Sequence, residues 1–350
     1  MTHSYLAYSH NPHTRFQSTS GGLGSELVYY MFSTKRIRSA IVLGRDAESP
    51  YYSPRLISSA ATYVPTGSVY HNVDLLRFVK QNLSDIASPV LCFALPCQTD
   101  ALKDLFSKHH IENFIVELTC SAQQQKSATT YLLSRLGHSE ANISQIRYRG
   151  DGWPSGVRIC TKSGDKIELA NWGSLWSEVF HSRLFVMPRC HLCDPMRQTT
   201  SDIILADPWG IVSPDNDNIG TTLCLAKNNN TNALLQEMES KGAIHLEELD
   251  TQRFWQSLQS TLFQMYWRRS RGLCARILQR LLNSKKYLNF VKSRAWAFKI
   301  HCKCFTASTK VAIKLDKTLH PERYNQLIKH RNDLYIRCAA CKQPWRRSSP

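Results

Sequence analysis

The sequence predicts an α/β core over about the first 250 residues, followed by a mainly helical, basic C-terminal region. Three observations carry that division. Short β-rich runs alternate with segments of helical periodicity up to about residue 250. Past Trp255 the pattern changes to long helical stretches in which aromatic and aliphatic residues interleave with Arg and Lys. Charge divides at the same place: residues 251–350 hold 22 Lys+Arg against 3 Asp+Glu, and the first 250 hold 22 against 24. The front is electrically ordinary and the tail is a concentrated cation, so 1–250 and 251–350 are expected to do different work.

Along the chain, Ser25–Phe32 reads as a helix, Ala40-Ile-Val-Leu43 as a buried strand and Val73–Leu83 as a helix. Pro89-Val-Leu-Cys-Phe-Ala94 and Asn113-Phe-Ile-Val-Glu-Leu118 read as further buried strands, with helical spacing over Thr99–Lys108 and Ser127–Leu136 between and after them. Asn228-Asn-Asn-Thr-Asn232 reads as a loop by composition. Leu262–Leu282 and Tyr287–Ile300 read as amphipathic basic helices.

With 350 residues, 42% of them apolar, the chain can bury a sizeable core. No apolar run reaches the roughly 18 residues of a membrane span, and the N-terminus lacks a signal-peptide pattern, so a soluble cytoplasmic protein is expected. Twelve irregularly spaced cysteines then fit thiols and metal ligands better than a disulfide framework. P-loop, zincin and nucleophile-elbow signatures are absent, which removes the commonest nucleotide-hydrolysing, metalloprotease and serine-hydrolase readings.

Cys190-His-Leu-Cys193 places two thiolates in one tight turn, close enough to serve one cluster or zinc ion. Two more ligands are needed. Cys97 and Cys120 each follow a predicted strand, and parallel strands bring their C-terminal ends to one sheet edge, where sites form. The same two residues would also serve as small buried hydrophobes. Cys92, Cys160 and Cys224 lie inside strand-like runs and read as core. Cys302-Lys-Cys304 and Cys338-Ala-Ala-Cys341 form a second possible metal set in the tail.

Arg15-Phe-Gln-Ser-Thr-Ser-Gly-Gly22 sets hydroxyls and two glycines directly before a helix, an arrangement that suits an anionic phosphate and also suits an ordinary helix cap. Arg149-Gly-Asp-Gly-Trp-Pro-Ser-Gly156 offers Arg149 and Trp153 for ionic and stacking contacts, or makes a plain turn between strands. Asp207-Pro-Trp-Gly210 raises the same choice, with Trp209 read as structural.

Taken in order, these motifs resemble the beta-subunit family of coenzyme F420 hydrogenases and dehydrogenases over about residues 5–245. The resemblance rests on Ser18-Thr-Ser-Gly-Gly22, Pro96-Cys-Gln98 with Ala101-Leu102, Cys120 after a strand, Tyr148–Pro154, Cys190-x-x-Cys193 and Ser201–Gly210. It implies a mixed-sheet, flavin-binding α/β core holding FAD, with a 4Fe-4S cluster on Cys97, Cys120, Cys190 and Cys193. It further implies cofactor contacts from Ser18, Thr19, Ser20, Gly21, Gly22, Ser68, Gln98, Arg149 and Trp153. The activity implied is oxidoreductase chemistry on a small-molecule substrate, with coenzyme F420 a candidate and a ferredoxin or second subunit as redox partner.

Several positions depart from the family pattern. Gly67-Ser-Val-Tyr70 lacks a lysine that relatives often carry, Cys120-Ser-Ala122 replaces Cys-His-Gly, and Ala94 stands for a glycine. No ferredoxin-like cysteine repeats precede the flavin segment, so at most one core cluster and an external electron donor are expected. On the redox reading the basic tail would dock an acidic redox partner or second subunit, and a membrane-surface role for its helices is an alternative. Two further readings of the whole chain stand beside the redox one. The tail, with Trp267, Trp296 and Tyr287 among its cations, would suit nucleic acid. A cofactor-free scaffold of the same fold would explain the altered residues.

Overall fold

The computed structural model describes residues 2–191, 193, 199–258, 277, 280–281, 284–305 and 318. The expected strands form as β2 (Ser39–Arg45), β4 (Val90–Ala94) and β5 (Asn113–Leu118), joined by β1 (His3–Ser9), β3 (Tyr52–Ile57), β9 (Ile203–Ala206), β10 (Thr222–Ala226) and β11 (Ile244–Leu249). They make one eight-stranded mixed sheet in the order β11-β1-β10-β9-β5-β4-β2-β3. Its middle is parallel, β2 to β4 to β5 to β9, and antiparallel strands close both sides. The parallel strands read as continuous apolar runs because both of their faces are covered.

That double cover follows the alternation of side chains along each strand. Leu91 points into the cluster made with α2 (Leu23–Ser33) and α7 (Asn229–Ser240), through Leu23, Leu27, Val28, Leu234 and Met238. Its neighbours Val90 and Cys92 point the other way, onto α3 (Leu75–Gln81) and α4 (Pro96–Lys108), through Leu75, Val79, Leu102 and Phe106. The helices expected over 25–32, 73–83, 99–108 and 127–136 are thus present, the last as α5 (Lys126–Arg135). Cys92 and Cys224 are fully buried, as expected, and burial pushes both thiols up to about 12. Cys160 is only half-buried, because β7 (Val157–Thr161) belongs to a small three-stranded sheet with one face less covered.

That small sheet, with β6 (Ile143–Arg147) and β8 (Lys166–Leu169), packs with α5 and α6 (Leu175–His181) in a second core around Leu132, Ile146, Tyr148, Ile159 and Trp176. The described part of the basic region joins this core. Helix α9 (Lys285–Ser293) contributes Val291, and a helix over 295–305, α10, contributes Phe298 and Phe305. Full burial of a side chain such as Phe298 stabilises by about 2–3 kcal/mol.

Two expectations need correction. Asn228–Asn232 is not a loop: Asn228 caps α7, its Oδ1 accepting from the Thr231 N–H at 2.8 Å, and the remaining residues start the helix. Asparagine is a favoured N-cap, and composition alone hid that role. The helical run expected over Tyr287–Ile300 is broken at Arg294, whose backbone is extended, giving α9 and α10. The run Leu262–Leu282 lies almost wholly outside the described residues, as do Trp267, Cys338 and Cys341. Among the described residues, no helix is long and apolar enough to cross a membrane.

Candidate functional site

The parallel middle of the sheet delivers three chain segments to one edge. Beyond β4, Leu95-Pro-Cys97-Gln98 turns into α4; beyond β5 comes Thr119-Cys120; beyond β9 comes Asp207. Such an edge is where open α/β sheets place ligands.

Cys97, Cys120, Cys190 and Cys193 line one hollow at this edge, together with Leu95, Pro96, Ser121, Ala122 and Gln123. Among the described residues, no Lys, Arg, Asp or Glu joins that lining. Cys190 is buried in a short 3-10 turn, Pro188–His191, where its N–H donates to the Met187 carbonyl at 2.9 Å. The Met187 N–H in turn donates to the Gln123 carbonyl at 2.9 Å, so the C-x-x-C turn is hooked onto the segment that follows Cys120. Cys97 is exposed and Cys120 and Cys193 are half-buried. Among the described residues, no group of three or more His, Cys, Asp or Glu is gathered tightly enough to hold a single metal ion. The four thiols therefore ring a common space without closing on one point within it. In the tail, Cys302 donates to the Glu178 carbonyl at 3.8 Å, and burial, with Glu178 nearby, pushes its thiol up to about 12.

A second set of predicted residues converges where four loops meet. Arg149, 3% exposed, directs Nη1 to Asp207 Oδ2 at 3.0 Å and Nη2 to Asp207 Oδ1 at 3.2 Å. Nη1 also donates to the Tyr70 hydroxyl at 3.1 Å, and Nη2 reaches the Thr19 carbonyl at 3.4 Å. Burial works against the charge of Arg149, but Asp207 and Tyr70 outweigh it and hold its pKa above the ordinary value. Its Nε is buried without a partner. Trp153 is buried too, its Nε1 donating to Asp207 Oδ1 at 3.2 Å and its ring 4.8 Å from that of Trp209. The ionic and indole groups read from the sequence as open to a ligand are thus used largely to fasten loops 149–153 and 207–209 together.

Thr19 accepts from the Ser68 N–H through Oγ1 at 2.5 Å, tying the Ser-Gly-Gly loop to Gly67–Tyr70. Ser18 shares a hydrogen bond with Ser25 at 3.1 Å; the Ser20 carbonyl accepts from the Thr222 hydroxyl; the Gly21 carbonyl accepts from the Ser9 N–H at 2.7 Å. Gly22, left-handed at φ 84°, caps α2 without a side-chain hydrogen bond, leaving the first-turn N–H groups to other partners. Gly67 is also left-handed, and a Cβ there would collide with the Arg149 carbonyl oxygen. Gln98 is buried and accepts from the Leu95 N–H at 2.9 Å, closing the first turn of α4 beside Cys97.

The two sets adjoin through the 67–71 loop. Tyr70 accepts at its hydroxyl from Arg149 Nη1 and at its carbonyl from the Gln124 N–H at 3.2 Å, four residues beyond Cys120. Sequence reasoning quoted the segments Asp207–Gly210 and Gly67–Tyr70 but named neither Asp207 nor Tyr70 as a site residue. Asp207 had a signal: it is the first residue beyond a four-residue apolar run, the same strand-end logic that selected Cys97 and Cys120. Tyr70 had none beyond its place next to the Gly-Ser pair.

Two models of one family, the coenzyme F420 hydrogenase/dehydrogenase beta subunit, match the chain. The model of the family's N-terminal part matches residues 4–80, and the model of its C-terminal part matches residues 88–252. Solved structures that match include a chain of the F420-reducing [NiFe] hydrogenase complex from Methanosarcina barkeri, at a TM-score of 0.53 and 14% identity. The alignment covers 74% of this chain and 90% of that one, and at such low identity it speaks to the fold alone. No curated protein matches.

Proposed function

From its place in the coenzyme F420 hydrogenase/dehydrogenase beta-subunit family, to which this chain belongs, we propose that the protein is an FAD-dependent iron–sulfur oxidoreductase. The observation that carries the reading is the gathering of Cys97, Cys120, Cys190 and Cys193, from three separate segments, around one hollow beside the 67–71 loop. Four thiolates are the usual ligand set of a 4Fe-4S cluster. A mononuclear site would draw all four sulfurs to about 2.3 Å from one ion, whereas the corners of a cluster each take one thiolate. Four thiols ringing a space, with no mononuclear cage among the described residues, therefore fit the cluster better than zinc.

The flavin fits the second set of residues. The start of α2, which no side chain caps, would take an anion, and Ser18, Thr19, Ser20, Gly21, Gly22 and Ser68 would orient a diphosphate there. Arg149 and Trp153 would act from the loop wall that Asp207 holds, and the buried Nε of Arg149 is left with a hydrogen bond to give. Gln98 would hold the turn that presents Cys97. When bound, FAD supplies exchange between two-electron and one-electron chemistry. The chain's own contribution is to fix the two sites next to each other and to orient substrate. Coenzyme F420 is a candidate substrate, and a ferredoxin or a second subunit would be the redox partner; the M. barkeri relative is itself part of a hydrogenase complex.

A cofactor-free scaffold is the second reading, favoured by the use of Arg149 and Trp153 to fasten their loop to Asp207. Anaerobic titration of the full chain with FAD, followed by flavin absorbance and fluorescence, separates the two. Saturable binding with flavin bands that bleach on reduction supports the proposal. A chain that stays colourless with FAD, iron and sulfide supports the scaffold.

A further inference from the structure

Helices α9 and α10 turn one face onto the core, and the other is exposed among the described residues. Inward lie Val291, Ala297, Phe298, His301 and Phe305, all buried. His301 anchors that face, its Nε2 on the Ser182 carbonyl at 2.9 Å and its Nδ1 on the Tyr287 hydroxyl at 2.7 Å, while Lys292 sits 4.5 Å over the Phe185 ring. Folding therefore accounts for the inner residues. The outer face nevertheless carries three large apolar side chains: Phe290 at 42% exposure, Trp296 at 57% and Ile300 at 53%. Trp296 and Ile300 are one helical turn apart and share a face. Phe290 meets Trp296 edge-on at 5.7 Å.

Cations surround this ridge. Residues 284–305 contain six Lys and Arg and no Asp or Glu, and Lys285, Lys286, Arg294, Lys299 and Lys303 are all exposed. An apolar wedge that includes a tryptophan, on a segment 284–305 that carries cations and no acidic side chain, is complementary to a surface that is anionic outside and apolar just beneath. We propose that the outer face of α9 and α10 docks the protein on an anionic lipid surface, with Phe290, Trp296 and Ile300 entering the headgroup boundary. Nucleic acid suits the face less well. The Phe290 ring carries Arg294 at 4.7 Å on one side and the Trp296 edge on another, and Ile300 offers nothing on which a base can stack.

The test uses the full-length chain and sedimentation with two kinds of vesicle, phosphatidylcholine alone and phosphatidylcholine with phosphatidylserine. Binding to the serine-containing vesicles is expected, with little to the neutral ones, and about tenfold weaker binding when salt rises from about 50 to about 500 mM. Trp296→Ser with Ile300→Ser should weaken binding about tenfold while leaving the melting temperature in place, since both side chains are exposed. Lys299→Glu with Lys303→Glu should do the same through charge. The proposal is overturned by an absence of binding to the serine-containing vesicles at low salt, or by full binding in the Trp296/Ile300 variant. Single-stranded RNA bound more tightly than vesicles, with that binding lost in the same variant, also overturns it.

Discussion

Arg149 and Asp207 form a two-pronged ion pair, at 3.0 and 3.2 Å, in which the guanidinium is almost fully buried. It joins a glycine-rich loop to the end of a parallel strand and recruits Tyr70, Thr19 and Trp153 to the same point. Removing one partner of such a pair leaves a buried charge unmatched, at a cost of about 3–5 kcal/mol. Asp207→Asn is therefore expected to lower the unfolding free energy by about 3 kcal/mol in urea titrations, and to weaken FAD binding along with it. A change below about 0.5 kcal/mol would mean that the loops are held by other contacts.

Gly67→Ala tests the close approach of the 67–71 loop to Arg149. The position is left-handed at φ +70° and an added methyl would strike the Arg149 carbonyl oxygen, so the backbone must move. A loss of about 1–3 kcal/mol is expected, read by thermal melting. Gly137→Ala shares the left-handed strain but meets nothing within 4 Å, so its smaller loss isolates the effect of the collision.

His71 gives the fold a pH dependence. Its Nε2 accepts from the Tyr52 N–H at 3.0 Å and its Nδ1 faces the Asn72 carbonyl at 3.1 Å, an arrangement that requires the neutral ring. Burial pulls its pKa down to about 4. The unfolded chain takes up that proton near pH 6.5 and the folded chain resists it, so the stabilisation is complete above pH 6.5 and is lost as pH falls towards 4. The loss attributable to His71 is about 3 kcal/mol at most, and His71→Gln should flatten the slope of stability over this window. His181 and His301, also lowered by burial, will leave part of the slope in place.

Thiol labelling should separate core cysteines from exposed ones. Cys92 and Cys224 are fully buried with thiols pushed up to about 12, so neither should alkylate until the protein unfolds. Cys304 is exposed and should label in the native state. Peptide mapping after iodoacetamide reads both, and early labelling of Cys92 or Cys224 would contradict the packing described.

The parts legible in the sequence were those written in local pattern. β4 and β5 were visible as apolar runs, and the rule that parallel strands end on one edge made Cys97 and Cys120 candidates beside the C-x-x-C turn, while the four-cysteine set came from the family resemblance. Other features depend on contacts between distant residues. Asp207 lies 58 residues from Arg149 and Tyr70 lies 79 from it, and no spacing announces either pairing. Asn228 was misread because a cap and a loop share the same composition. The break at Arg294, where the backbone turns extended, was not visible in the helical periodicity on either side.

The most direct test of the central claim is the iron and acid-labile sulfide content of the anaerobically reconstituted full chain, measured beside Cys97→Ser, Cys120→Ser, Cys190→Ser and Cys193→Ser combined in one variant. The account predicts about four iron and about four sulfide per wild-type chain, with a broad absorbance that bleaches on reduction, and almost none in the variant. Equal iron in both chains, or none in the wild type, would contradict it.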